Sequence, residues 1–191
     1  MAQLPIPKAP GRLPLAIGLA AVLAAATAAG TGAAEWKSAG PATSRVTPVP
    51  RLETRLLDRI NEVRRAAGLI PLRATPSLAA AAHEQSLSMA QHGFFSHESY
   101  GGGPYWKRVE TRYAKPADGA WRVGENLVWG SPRLTARRAL ELWLSSPEHR
   151  QNLLTPAWRE VGIAAVHASE APGIYAGQDV TILTADFGVR G

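Results

Sequence analysis

The chain has 191 residues, a formal net charge of +6 and no cysteine. The lack of cysteine excludes a disulfide framework, a thiol nucleophile and a lipid anchor attached through cysteine. The arginines are scattered along the chain and form no dense basic run, which argues against nucleic-acid binding. A mildly basic surface of this kind is compatible with weak attraction to anionic cell-surface polymers.

The first 34 residues have the pattern of a secretory signal. Lys8 and Arg12 are the only charged residues in residues 1–34, and an apolar stretch from Leu13 to Leu23 is followed by small residues. A basic start, an apolar core and a small-residue end are typical of a cleaved signal peptide, which predicts an extracellular or periplasmic protein. The alternative is an uncleaved N-terminal membrane anchor, since the apolar segment is about long enough to span a bilayer.

The remaining sequence predicts a linker followed by one domain. Residues 35–50 are rich in proline, glycine, serine and threonine without an apolar period, which indicates a flexible linker. In residues 51–191, apolar residues at helical spacing predict helices at 52–67, 75–91, 105–113 and 136–144. Apolar and β-branched runs predict strands at 126–129, 161–166 and 180–187. Helices that precede strands in this way favour an α+β fold, with helices packed on a small antiparallel sheet.

Three polar side chains stand where secondary structure alone gives no reason for them. His97 follows the end of a predicted helix, and Glu125 begins an apolar strand. His149 falls in the first turn of a short helix beginning at Pro147, where the helix dipole disfavours imidazolium. Two neutral imidazoles and a carboxylate are suitable ligands for Zn²⁺ or a similar divalent cation, with one position left open to water.

Each of these residues also has an ordinary interpretation. His97 can be a loop histidine, Glu125 can bond the backbone amides of a turn, and His149 can be a helix-terminal residue without a ligand. The three side chains can also form a buried hydrogen-bond network that braces a cleft and binds nothing.

Five motifs in chain order resemble those of a known family. They are Phe95-Ser96-His97, Gly124-Glu125-Asn126-Leu127, the run from Trp143 to Leu154, Val161-Gly162-Ile163, and Thr184-Ala185-Asp186-Phe187-Gly188. Together with the leading helix they resemble the CAP superfamily (cysteine-rich secretory proteins, antigen 5, pathogenesis-related 1), also called SCP-like domains. The resemblance is to the short bacterial type and covers about residues 53–189.

This resemblance implies a three-layer α-β-α sandwich with a cleft, lined in many members by two histidines and two glutamates that can hold a divalent metal, often zinc. Matched residue by residue, His97 is the first histidine, Glu125 the first glutamate and His149 the second histidine. The second glutamate has no clear match, and the residues near its place are Glu141, Ser146 and Glu148.

The favoured function is an exported, non-catalytic binding module whose cleft holds a cation and engages lipid, a cell-envelope polymer or a protein. The resemblance implies sterol and fatty-acid binding among these. The alternative is a metal-dependent hydrolase or peptidase, in which Glu125 or a neighbouring carboxylate acts as general base on metal-bound water. The sequence contains no G-x-S-x-G or other common nucleophile motif, and this absence favours binding over catalysis.

Overall fold

The computed structural model describes residues 44–191, which contain five α-helices and five strands. The predicted secretory signal in residues 1–34 lies outside the described residues. Within residues 44–191, no helix is both long enough and apolar enough to cross a membrane. In chain order the elements are β1 (Val46–Pro48), α1 (Pro50–Ala66), β2 (Arg73–Ala74), α2 (Pro76–His92), α3 (Tyr105–Arg112), β3 (Trp121–Gly130), α4 (Ala136–Ser145), α5 (Pro147–Leu153), β4 (Glu160–Ala171), a 3₁₀ turn (Gly173–Tyr175) and β5 (Gln178–Arg190).

The helices form where apolar residues recur at helical spacing. On α1, Leu52, Leu56 and Ile60 are all buried, which is the apolar face that the sequence predicts. Helix α2 begins with Pro76 in its first turn and ends at Gly93, which adopts the left-handed conformation with φ +67°. Glycine ends the helix there because it reaches positive φ without a steric penalty.

The start of the domain differs from the prediction. Val46–Pro48, within the predicted linker at residues 35–50, form strand β1 and pair with Val166–Ala168 of β4. The β-branched residues Val46 and Thr47 favour this pairing, and proline is tolerated because β1 is an edge strand. Residues 46–48 of the predicted linker are therefore part of the sheet, and residues 35–43 lie outside the described part of the chain.

The strands form one sheet in the order β1-β4-β5-β3, antiparallel throughout except that β2 pairs in parallel with the start of β4. Helices α1, α4 and α5 pack on one face, where Ile163, Leu183 and Phe187 contribute to the largest apolar cluster. Helices α2 and α3 cover the other face. The predicted three-layer α-β-α arrangement is confirmed.

Strand β3 lies at one edge of the sheet and positions the residues of interest. Side chains alternate between the two faces along a strand. Glu125 therefore faces the α2 and α3 layer, and its neighbour Asn126 faces α5. Glu125 lies opposite Asp186 of β5 in the antiparallel register. Both helical layers meet at this edge, so residues from all three layers can line a shared cleft.

Candidate functional site

A cleft of about 450 Å³ opens over the edge of β3. The structure brings His97, Glu125 and His149 together in its lining, although they are widely separated in the chain. His97 comes from the loop after α2, Glu125 from β3, and His149 from the first turn of α5. The other lining residues are Tyr105, Val123, Gly124, Asn126, Glu148, Asn152 and Trp158.

His97 and Glu125 form a direct hydrogen bond. Nδ1 of His97 lies 2.7 Å from Oε1 of Glu125. An ionised carboxylate only accepts hydrogen bonds, so Nδ1 carries the proton and the other ring nitrogen remains unprotonated when the ring is neutral. The His97 side chain is 50% exposed and the Glu125 side chain is fully buried. A buried carboxylate thus orients an imidazole at the cleft mouth.

The second carboxylate oxygen of Glu125 is paired with Arg108, a residue that the sequence prediction did not include. Nη2 of Arg108 contacts Oε2 of Glu125, and the Arg108 side chain is only 3% exposed. Nη1 of Arg108 donates to Oε1 of Gln85 at 2.9 Å. Gln85 in turn donates to the carbonyl oxygens of Ser96 and Glu98, at 2.6 and 3.1 Å. The network therefore fastens the loop that carries His97.

Asp186 adds a second buried carboxyl group beside Glu125. Its Oδ1 lies 3.9 Å from Nη2 of Arg108, which is too long for a hydrogen bond. Within the described residues, no donor group bonds either oxygen of Asp186, but a protonated Asp186 can donate its own hydrogen to Glu125. Burial, followed by the nearby charge of Glu125, raises the pKa of Asp186 well above its ordinary value. A raised pKa favours the neutral carboxyl form, which is the less costly form in a buried site.

The opposite wall of the cleft is held by an amide network. The side chain of Asn126 donates to the carbonyl oxygen of His149 at 3.0 Å, and Asn152 donates to Oδ1 of Asn126 at 3.0 Å. Nε1 of Trp158 donates to the Asn152 carbonyl oxygen at 2.9 Å. Burial and the neighbouring His97 lower the pKa of His149. A lowered pKa favours the neutral imidazole.

The described side chains do not fit a divalent metal. Within residues 44–191, there is no cluster of three or more histidine, aspartate or glutamate side chains that could hold an ion. Both oxygens of Glu125 already face donors, Nδ1 of His97 and Nη2 of Arg108. A metal bound to Glu125 would lie beside a buried guanidinium, whose positive charge would oppose it. The zinc site predicted at His97, Glu125 and His149 stays a prediction that this geometry does not support.

The two glutamates considered as the second glutamate of the family's cleft, Glu141 and Glu148, lie in different parts of the structure. Glu148 lines the cleft and accepts a hydrogen bond from Oγ of Ser146 at 3.2 Å. Glu141 pairs with Arg137 at 2.5 Å on the exposed surface of α4 and does not line the cleft. The structure therefore favours Glu148 over Glu141 as the acidic residue of the cleft.

Two further pockets are more apolar than this cleft. One, of about 290 Å³, adjoins it at His149 and is lined by Phe95, Leu142 and residues 127–129. The other, of about 460 Å³, lies between α1, the start of α2 and β4, away from His97 and Glu125. The pocket at α1 and β4 is thus separate from the cleft, whereas the smaller apolar pocket continues the cleft at His149.

Comparisons with known proteins agree with this architecture. The model of the cysteine-rich secretory protein family, CAP, matches residues 57–184. The uncharacterized protein YkwD of Bacillus subtilis strain 168 is 28% identical over 130 residues, which are 66% of this chain and 47% of that protein. The chain thus spans about half the length of this relative.

Two solved structures have a similar fold. An outer surface protein from Borrelia burgdorferi has a TM-score of 0.61 at 19% identity, over 78% of this chain and 99% of that chain. An extracellular protein containing a SCP domain from Bacillus anthracis has a TM-score of 0.56 at 24% identity, over 72% of this chain and 40% of that chain. At these identities the likeness establishes the fold alone.

Proposed function

Because the chain belongs to the cysteine-rich secretory protein (CAP) family, we propose that it is an exported binding protein whose cleft recognises a polar cell-envelope polymer. The observation that carries the proposal is the convergence of His97, Glu125 and His149 on one cleft of about 450 Å³. The cleft size is within the range of small-ligand sites in proteins. Fold alone does not determine function, so the ligand is argued from the lining.

Export is supported by two independent observations. The basic residues Lys8 and Arg12 precede an apolar stretch and a small-residue segment, as in a secretory signal. Two structural relatives are described as an extracellular protein and an outer surface protein. An exported protein meets cell-envelope polymers directly, which makes them accessible ligands.

The lining of the cleft favours a polar ligand over a lipid tail. Its side chains carry imidazole, carboxylate, amide and phenol groups beside the apolar side chains of Val123 and Trp158. Planar polar groups beside aromatic rings suit the hydroxyl and amide groups of glycan and peptide chains. An acyl chain needs an apolar cavity, which the separate pocket at α1 and β4 provides better.

Binding is favoured over metal-dependent hydrolysis by the state of Glu125. A general base must reach the proton that it removes, through a free oxygen within hydrogen-bond distance. Both oxygens of Glu125 are engaged, one with His97 and one with Arg108. The engaged carboxylate is suited to holding the cleft in shape and to orienting His97.

A direct binding assay tests this proposal. Purified protein is titrated with soluble peptidoglycan fragments and, separately, with phosphatidylglycerol vesicles. His149→Ala removes a cleft side chain for which the structure describes no hydrogen bond, and His83→Ala on α2 is the matched control outside the cleft. The proposal predicts saturable binding of fragments that weakens about tenfold in His149→Ala, equivalent to about 1.4 kcal/mol, and is unchanged in His83→Ala. Binding to vesicles alone, or equal fragment binding by both variants, contradicts it.

A further inference from the structure

We propose that Arg108 is the built-in cation of the cleft: its guanidinium holds Glu125 and the loop of His97 in place, so that the native cleft binds no divalent metal. This role of Arg108 involves only the chain's own charges and is the same whichever ligand the cleft recognises.

Two acidic side chains, those of Glu125 and Asp186, are buried next to each other in the sheet. Glu125 and Asp186 are directly opposed on β3 and β5, and their side chains are both fully buried. An uncompensated buried carboxylate is costly, and two adjacent carboxylates repel each other. Glu125, the member of the pair that keeps its charge, therefore needs a positive partner within the fold.

Arg108 supplies that partner from the layer packed on this face. Its side chain is 3% exposed, its Nη2 contacts Oε2 of Glu125, and the same nitrogen lies 3.9 Å from Oδ1 of Asp186. Guanidinium is always charged at ordinary pH and offers several donors in a rigid plane. A single side chain thus faces both acidic residues.

Arg108 also positions the loop of His97. Its Nη1 donates to Oε1 of Gln85, and the amide nitrogen of Gln85 donates to two carbonyl oxygens of the loop, those of Ser96 and Glu98. A metal ion would connect the loop histidine and the strand glutamate by ligating both. Here the two are connected by a direct hydrogen bond and by this chain of contacts.

The same contacts disfavour a divalent cation. An ion at Glu125 would lie beside the positive charge of Arg108 and would compete with the donors on both carboxylate oxygens. If the charge of Arg108 is removed, Glu125 loses its competing cation and one of its oxygens is left without a donor. The affinity of Glu125 and the neighbouring His97 for a divalent cation should then rise, although the described residues form no ready-made cluster of three ligands.

Zinc alone is the probe for the test. Wild type, His97→Ala, Arg108→Met, Arg112→Met and the double variant Arg108→Met/His97→Ala are titrated with Zn²⁺, with bound zinc and the melting temperature as readouts. Arg112 is the matched control, because it lies on the same helix with a side chain that is 54% exposed. The proposal predicts no saturable zinc binding by wild type or Arg112→Met. It predicts zinc binding at least about tenfold tighter in Arg108→Met, lost again in the double variant.

The proposal would be overturned if the wild type binds zinc saturably and His97→Ala abolishes that binding. It would also be overturned if Arg108→Met folds but gains no zinc affinity. If Arg108→Met does not fold, the wild-type titration decides alone. Because no envelope fragment is used, failure of this test is distinguishable from failure of the proposed binding function.

Discussion

Glu125 of β3 and Asp186 of β5 lie directly opposite each other, and only Glu125 is paired closely with Arg108. Asp186 is completely buried, and no donor group bonds either of its oxygens within the described residues. The two carboxyl groups therefore differ in charge. Glu125 forms the ion pair with Arg108, whereas burial favours the neutral form of Asp186.

Asp186→Asn should be tolerated, because an amide imitates the size and neutrality of a protonated carboxyl group. Burial and then Glu125 raise the pKa of Asp186, so its contribution to stability is full below the unfolded pKa and is lost as the pH rises through the folded pKa. We expect Asp186→Asn to equal or exceed wild type in free energy of unfolding at neutral pH, with a weaker decline at higher pH. Urea unfolding of both proteins, from neutral pH upwards, measures this difference in free energy of unfolding. A variant less stable than Asp186→Ala would contradict this account of the site.

Arg108→Met should be strongly destabilising, because it leaves Glu125 buried without its positive partner. Removing one member of a buried ion pair costs about 3–5 kcal/mol. Arg112→Met should cost less than about 1 kcal/mol, since its pair with Glu84 is exposed on both sides. Urea unfolding of both variants gives the comparison, and equal costs would show that the buried network does not stabilise the fold.

Glu160 should make the fold sensitive to acid. Burial alone would raise its pKa, but hydrogen bonds from Tyr113 and Arg73 and the charges of Arg73 and Arg190 outweigh burial, and the net pKa is lowered. A lowered pKa contributes stability that is present above the unfolded pKa of 4.5 and is lost as the pH falls through the folded pKa. Glu160→Gln should flatten the loss of unfolding free energy below this pH. Glu84→Gln is the exposed control, and the idea fails if it flattens the profile equally.

Gly162→Ala should disrupt the contact between α2 and β4. A Cβ atom at residue 162 would lie 2.0 Å from the backbone nitrogen of Ala79 and 2.0 Å from the carbonyl carbon of Leu78. Backbone atoms cannot move aside as a flexible side chain can, so we expect a cost of about 3 kcal/mol or more. The control is Gly68→Ala, where nothing lies within 4 Å and only the positive φ of +71° opposes the change, at about 1–2 kcal/mol. Thermal unfolding of both variants ranks the costs, and the reverse order would contradict the close approach.

Apolar periodicity was sufficient to predict the helices, and the positions of α1, α2, α3 and α4 are confirmed to within about one turn. The strands are longer than predicted, because their ends contain charged, alanine and glycine residues that weaken the alternation. Strand β4, predicted at residues 161–166, extends over Glu160–Ala171. The two-residue strand β2 carries no local pattern and depends on its pairing with β4.

The candidate site could be predicted only in part, because only some of its residues leave a local signal in the sequence. His97, Glu125 and His149 stood out because each interrupts a local pattern, whereas Arg108 looks like any other charged residue of an amphipathic helix. Its burial depends on the opposed pair of acids across the sheet, which requires tertiary structure. Asp186 did leave a signal, an acidic residue within an otherwise apolar strand, and that signal could have indicated a buried partner.

The proposed function requires that His97 and His149 face one cleft that binds its ligand without metal. The most direct measurement is a titration of the full chain with soluble peptidoglycan fragments in the presence of a metal chelator, with the imidazole ¹⁵N signals of its five histidines as the readout. The account predicts that the signals of His97 and His149 shift together and saturate, while those of His83, His92 and His167 stay unchanged. Shifts that vanish when the chelator is added, or that fall on the other three histidines, would contradict it.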